Sequence, residues 1–132
     1  MNEYIRYPSE WKNQVNTFHR LDTETTDNVE VTIACAVQAL NVYYLPDLIQ
    51  WKLEQRFKKL NMWPFGAGGM GTHFVYWPGQ LNVKSLPADF KAKCREKYEA
   101  WYPWWEANWE LGVPSWHKGK VTYCLLYTSY AA

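Results

Sequence analysis

The sequence predicts an α/β fold with parallel strands and helical crossovers, and three observations predict it. Residues 29–66, VEVTIACAVQALNVYYLPDLIQWKLEQRFKKLNMWPFG, read as strand, turn, helix, strand. That alternation implies a parallel sheet covered by its crossover helix. Within residues 29–38 the two faces differ: Val31, Ile33, Cys35 and Val37 are bulky and apolar, while Thr32, Ala34, Ala36 and Gln38 are small or partly polar. Side chains alternate along a strand, so one face suits covering helices and the other suits the inner wall of a barrel, where a ligand must fit. Finally, Gln38 and Asn41 stand where this strand ends. The carboxyl ends of parallel strands face the ligand crevice in α/β sheets and barrels.

The elements follow in order. Ser9 is a candidate N-cap and Glu10 an acidic first-turn residue, both suited to a helix start. Trp11, Val15 and Phe18 then repeat at helical spacing, with Leu21 closing the stripe. Residues 22–28, DTETTDN, read as a polar turn before the strand at 29–38. Leu45, Pro46 and Asp47 open a second helix, with proline near the first position, where its missing N–H costs nothing. Its buried stripe is Ile49, Leu53, Phe57 and Leu60, and Glu54 is placed to pair with Lys58. A short strand is expected at 60–63, then a glycine-rich loop at 65–79 with an extended piece at 73–77. Residues 80–85 read as extended. Leu86 and Pro87 begin a third helix with Phe90, Cys94, Tyr98 and Trp101 on one stripe. Pro103 is expected to break or kink it, with a further short helix beyond.

The 132 residues allow one domain or part of one, with a real core. A net charge of +1 gives no electrostatic case for nucleic acid or an anionic membrane. Nine Trp and ten Tyr are too many for a disordered chain. Cys35, Cys94 and Cys124 are scattered, without a CxxC pair, which argues against a zinc site or a disulfide framework and for a reducing compartment. The first residues lack the apolar run of a signal peptide. No apolar run approaches the roughly 20 residues of a membrane span. A soluble, cytoplasmic protein is expected.

Several motifs compete for a functional reading. Residues 66–71, GAGGMG, match G-x-G-x-x-G, but THFVYWPG follows where a helix should open, so dinucleotide binding lacks its context. Trp101, Tyr102, Trp104, Trp105, Trp109 and Trp116 invite a stacking role, yet Glu99, Glu106 and Glu110 stand among them instead of a basic groove. Packing of a C-terminal helix is the stronger reading. His73, in the glycine-rich loop, is the histidine to test. Gln38 falls on the small-residue face and reads as a site residue. Asn41 reads equally as a site residue and as a turn or helix cap.

NEYIRYPSEW, VQALNVYYLPDLIQW and LNVKSLPADFKAKCREKYEAWYPWWEANW, in that order, resemble the second half of twitch-domain-containing radical S-adenosylmethionine proteins, a group common in phage and marine metagenomic sequences. The resemblance covers roughly residues 2–120. It implies a fragment of a partial (β/α)6 TIM-like barrel, a 4Fe–4S cluster held by a CxxxCxxC loop, and S-adenosylmethionine cleaved to a radical that attacks substrate. This chain has no such loop. The expectation is therefore the later part of the barrel at 1–85, a C-terminal helical extension at 86–120, and a missing N-terminal half that carries the cluster. Arg6 in EYIRYP resembles an arginine placed to pair the cofactor's carboxylate. Gln38 and Asn41 would lie at the end of the fifth strand, near cofactor or substrate. The substrate, small molecule or peptide, is not named by the resemblance. Residues 121–132 are expected to be a non-native tail, because CLLYTS is what one frame of a common sequencing adapter encodes. The rival expectation is a small aromatic-rich binding module for glycan or single-stranded nucleic acid, with Trp104, Trp105 and Trp109 exposed along one groove.

Overall fold

The computed structural model describes residues 7–26, 28–29, 31–60, 70–108 and 111, excepting the side chain of Met70. Among them are three α-helices and a two-stranded parallel sheet: α1 (Trp11–Glu24), β1 (Ile33–Val37), α2 (Leu45–Glu54), β2 (Met70–Phe74) and α3 (Ala88–Asn108), with short 3-10 turns at Val42–Tyr44, Gly79–Leu81 and Val83–Ser85. None of the helices is long and apolar enough to cross a membrane. The adapter-like tail, most of the strand expected at 60–63 and Arg6 lie outside the described residues.

The parallel arrangement is as expected. Ile33 pairs with Met70 and Val37 with Phe74, in register throughout, and Val75 N–H extends the ladder to Val37 O at 2.9 Å. The position of β2 is a correction, however. The partner strand begins inside the glycine-rich segment, at Met70, three residues before the expected extended piece. Its glycine carries no β-branched signal, and pairing with β1, a contact remote in sequence, makes it a strand.

The covered face of β1 carries Ile33, Cys35 and Val37, which join Val42, Leu45, Ile49 and Leu53 in the core. α2 begins with Pro46 in its first turn and buries Ile49 and Leu53, as the stripe requires. It stops at Glu54. Gln55 caps it, and Arg56 follows at φ 53°, the left-handed geometry that turns a chain out of a helix. Phe57 and Leu60 are still buried, but beyond the helix. Lys58 therefore never comes one turn above Glu54, which accepts instead from Gln50 Nε2 at 2.8 Å.

α1 starts with Glu10 as its N-cap, not Ser9, whose hydroxyl accepts from Gln14 Nε2 at 2.7 Å. The helix also runs three residues past Leu21, into the stretch 22–28 expected as a turn. Asp22, not Leu21, is the buried residue of that last turn. Trp11 and Phe18 close on Trp51 of α2, with ring centroids 4.8 and 6.1 Å away.

α3 continues through Pro103 to Asn108, so residues 104–108 extend the same helix, and most of the stretch beyond lies outside the described residues. Pro103 is exposed, so the carbonyl that loses its partner is left on the wet side of the helix. Trp101, Trp104 and Trp105 on the other side pack against the core and hold the helix across the proline. The expected extended stretch at 80–85 is instead the pair of 3-10 turns, the second closed by Asn82 Oδ1, which accepts from Lys84 N–H at 2.9 Å.

Candidate functional site

The two parallel strands release their chains at the same end of the sheet. Gln38 and Asn41 leave β1 there, and Val75, Tyr76 and Trp77 leave β2. The two exits are tied together by Ala39 N–H donating to Leu81 O at 2.8 Å.

Gln38 is buried at 9% exposure. Its carbonyl accepts from both Asn41 and Val42 N–H at 3.0 Å, which folds the chain into the 3-10 turn. Asn41 is an edge cap. Val37 turns its carbonyl toward β2, so the neighbouring Ala36 carbonyl and Gln38 N–H point to the opposite edge of β1. The Asn41 amide meets both: Nδ2 donates to Ala36 O at 2.8 Å, and Oδ1 accepts from Gln38 N–H at 2.8 Å. One side chain thus substitutes for a neighbouring strand at Ala36, within β1, and at Gln38, just past its end. Of the two readings open to Asn41, this geometry is that of the turn.

The face of the sheet turned away from the helices is small and open. Thr32, just before β1, and Ala34 and Ala36 on it are exposed. By register, Gly71 stands beside Ala34 and His73 beside Ala36 on β2. His73 is exposed, and its imidazole leans back along the strand: a methyl group on Gly71 would lie 3.3 Å from His73 Nε2. This is the small, partly polar composition read from residues 29–38, now shared by both strands. His73 was singled out in the sequence; its place on this face follows only from the pairing with β1. Because Gly71 lies in a strand, no helix opens at the third glycine of GAGGMG, and the dinucleotide reading loses its context. Gly66 to Gly69 lie outside the described residues.

Two features of the opposite side were not visible in the sequence. Lys52 is buried at 1% exposure on α2, and burial pulls its ammonium down to about 8. It sits one turn from Ile49 and Leu48 on a face that reads as apolar except for this residue. Tyr98 on α3 donates its hydroxyl to Val42 O at 2.8 Å, and burial, with smaller effects from Cys94, Cys35 and Asp47, pushes the phenol up.

Among the described residues the aromatic segment packs inward instead of lining a groove. Trp101 stacks on Trp104 at 6.2 Å and meets Trp105 at 5.4 Å, and all three pack onto the core. Trp109 and Trp116 lie outside the described residues.

An iron–sulfur cluster is held by several cysteine thiolates converging on it. The described residues hold two cysteines, Cys35 and Cys94, which pack against the apolar core, and burial pushes the Cys94 thiol up. Among the described residues no three His, Cys, Asp or Glu side chains converge to hold a metal ion. These residues do not fit the cluster. Comparison with known proteins finds no matching family model, curated protein or solved structure.

Proposed function

We propose that this chain is one wall of a radical S-adenosylmethionine barrel, a partial (β/α)6 TIM-like barrel whose cluster is held by cysteines outside this sequence. The observation that carries the reading is the asymmetry of the parallel β1–α2–β2 unit. One face is sealed by α2 and α3; the other is small, exposed and lined by Ala34, Ala36, Gly71 and His73. Parallel sheets are normally covered on both faces, so an open face on a parallel pair calls for a covering partner, and a barrel wall turns such a face to its ligand. The order of the resembling segments points the same way.

On this reading S-adenosylmethionine, when bound, supplies the radical chemistry, and this chain contributes surface. On the same reading Gln38, at the carboxyl end of β1, hydrogen-bonds cofactor or substrate, and the resemblance gives Arg6 the pairing of a carboxylate. Asn41 acts behind them by fixing the turn that aims Gln38.

The test is genetic and then chemical. The genomic reading frame that holds this chain should encode a CxxxCxxC motif, and a complete frame without one overturns the reading. The protein from that frame, reconstituted anaerobically, should release 5′-deoxyadenosine from S-adenosylmethionine, and Gln38→Ala should lower that release. The 132-residue chain alone should give no stable 4Fe–4S absorbance.

A further inference from the structure

We propose that Tyr43, Tyr44 and Asp47 form a recognition site for an alkylammonium group, which Lys97 occupies as a tethered stand-in. The two tyrosine rings stand at 84° to one another with centroids 5.2 Å apart, so they make two perpendicular walls. Lys97 Nζ lies 4.3 Å from the Tyr43 centroid and 5.2 Å from that of Tyr44. The Asp47 carboxylate takes the same ammonium as its ion-pair partner. Two ring faces at a right angle with an acidic third side is the arrangement by which aromatic cages bind alkylated ammonium ions.

The box is built without Lys97. Both tyrosines belong to the 3-10 turn Val42–Tyr44, and Tyr44 N–H bonds Asn41 O at 2.9 Å. Phe90 backs Tyr43 at 5.8 Å. Asp47 is fixed in the first turn of α2. Lys97 reaches in from α3, a separate element. Tyr44 and the Asp47 side chain are exposed, so the box opens to solvent on that side. It also stands on the turn that Asn41 closes, beside the exit of β1. A ligand at the strand ends that carries a primary, secondary or quaternary ammonium would find this box within the same turn. The inference needs only the turn and α2, and holds whether or not the barrel reading does.

Lys97→Ala empties the box and leaves its walls in place. The probe is tetramethylammonium chloride, with tert-butanol as a neutral companion of similar shape and sodium chloride as the ionic-strength control. In the variant, the probe's methyl resonance should shift upfield and saturate, and tert-butanol should bind about tenfold more weakly or worse. Adding Tyr43→Leu or Asp47→Asn to Lys97→Ala should abolish most of the shift. In the unmodified chain the probe must displace Lys97, so half-saturation should move up by about tenfold. Equal response to probe and tert-butanol overturns the inference, as does no response in a variant whose circular dichroism matches the unmodified chain. If Lys97→Ala does not fold, the unmodified chain decides. High probe concentration should shift the Tyr43 and Tyr44 ring signals where sodium chloride does not, and identical effects of the two salts overturn the assignment.

Discussion

Asp22 and Lys59 clamp each other's segments in both directions. The Asp22 carboxylate accepts from the backbone N–H of Lys58 at 2.9 Å and of Lys59 at 2.7 Å. The Lys59 ammonium donates to Thr25 O and Thr26 O, both at 2.6 Å, at the end of α1. Each residue satisfies backbone groups that the other's segment leaves open. The clamp ties the end of α1 to the chain beyond α2.

Breaking the clamp from the Asp22 side should be costly. Asp22→Ala strands three backbone donors, those of Lys58 and Lys59 and the longer one of Leu60 at 3.4 Å, a loss of about 2–4 kcal/mol, and Asp22→Asn, which keeps one acceptor, should lose less. Lys59→Met should cost about 1–2 kcal/mol, since its partners are less buried. Urea unfolding of the single and double variants checks this. Because the two residues share one linkage, the double variant should lose less than the sum of the singles.

Stability should rise and then fall in alkali. Lys52 titrates at about 8 folded against 10.5 free. Between those values the unfolded chain binds more protons than the folded one, so stability increases with pH across that window. At ~1.4 kcal/mol per unit, the whole gain is at most about 3.5 kcal/mol. Tyr98 has the opposite sign. Its folded value is raised, so its contribution is complete below the free phenol's value, about 10, and is lost above it. Denaturant midpoints measured from pH 7 to 11 should peak near pH 10. Lys52→Met should remove the rise and stabilise the chain at pH 7. Tyr98→Phe should flatten the fall, at a constant cost of about 1 kcal/mol for the lost bond to Val42 O.

The indoles of α3 should matter for folding. Trp101→Ala or Trp105→Ala removes a ring packed on the core and should cost about 2–4 kcal/mol. A stacking module predicts the reverse: unchanged unfolding and lost binding. Thermal unfolding followed by circular dichroism separates the two.

Gly71 tests the open face. Gly71→Ala puts a methyl 3.3 Å from His73 Nε2, and the exposed imidazole can swing away. Stability should change by less than about 1 kcal/mol, while the His73 ring resonances move. A large loss of stability would mean that the imidazole is locked where it lies.

What the sequence made legible was what one strand or one helix specifies by itself. The alternation of residues 31–37 told which face of β1 is covered, and the stripe of α2 gave Ile49 and Leu53. Gln38 and Asn41 could be placed at the strand's end by counting. What stayed hidden depends on contacts between segments. Asp22 looks like a turn residue until the backbone of Lys58 and Lys59 is brought to it. β2 looks like a loop until β1 supplies its ladder. Pro103 looks like a terminator until the tryptophans on both sides are seen to be anchored. Lys52 gives no signal, because a lysine in a helix is normally exposed.

The sheet also sets the order of assembly. Ile33 meets Met70 with the whole of α2 between them, so pairing the strands closes a long loop, and its entropy must be spent before the ladder repays it. The turn Val42–Tyr44 and α2, by contrast, are neighbours along the chain. They can form on the microsecond scale of local helix formation, leaving the strand pairing as the slow step. Substitutions in β2 should then speed unfolding and leave the folding rate nearly untouched, and those in α2 should slow folding. The open face of the sheet is accordingly the last surface of this chain to come into being.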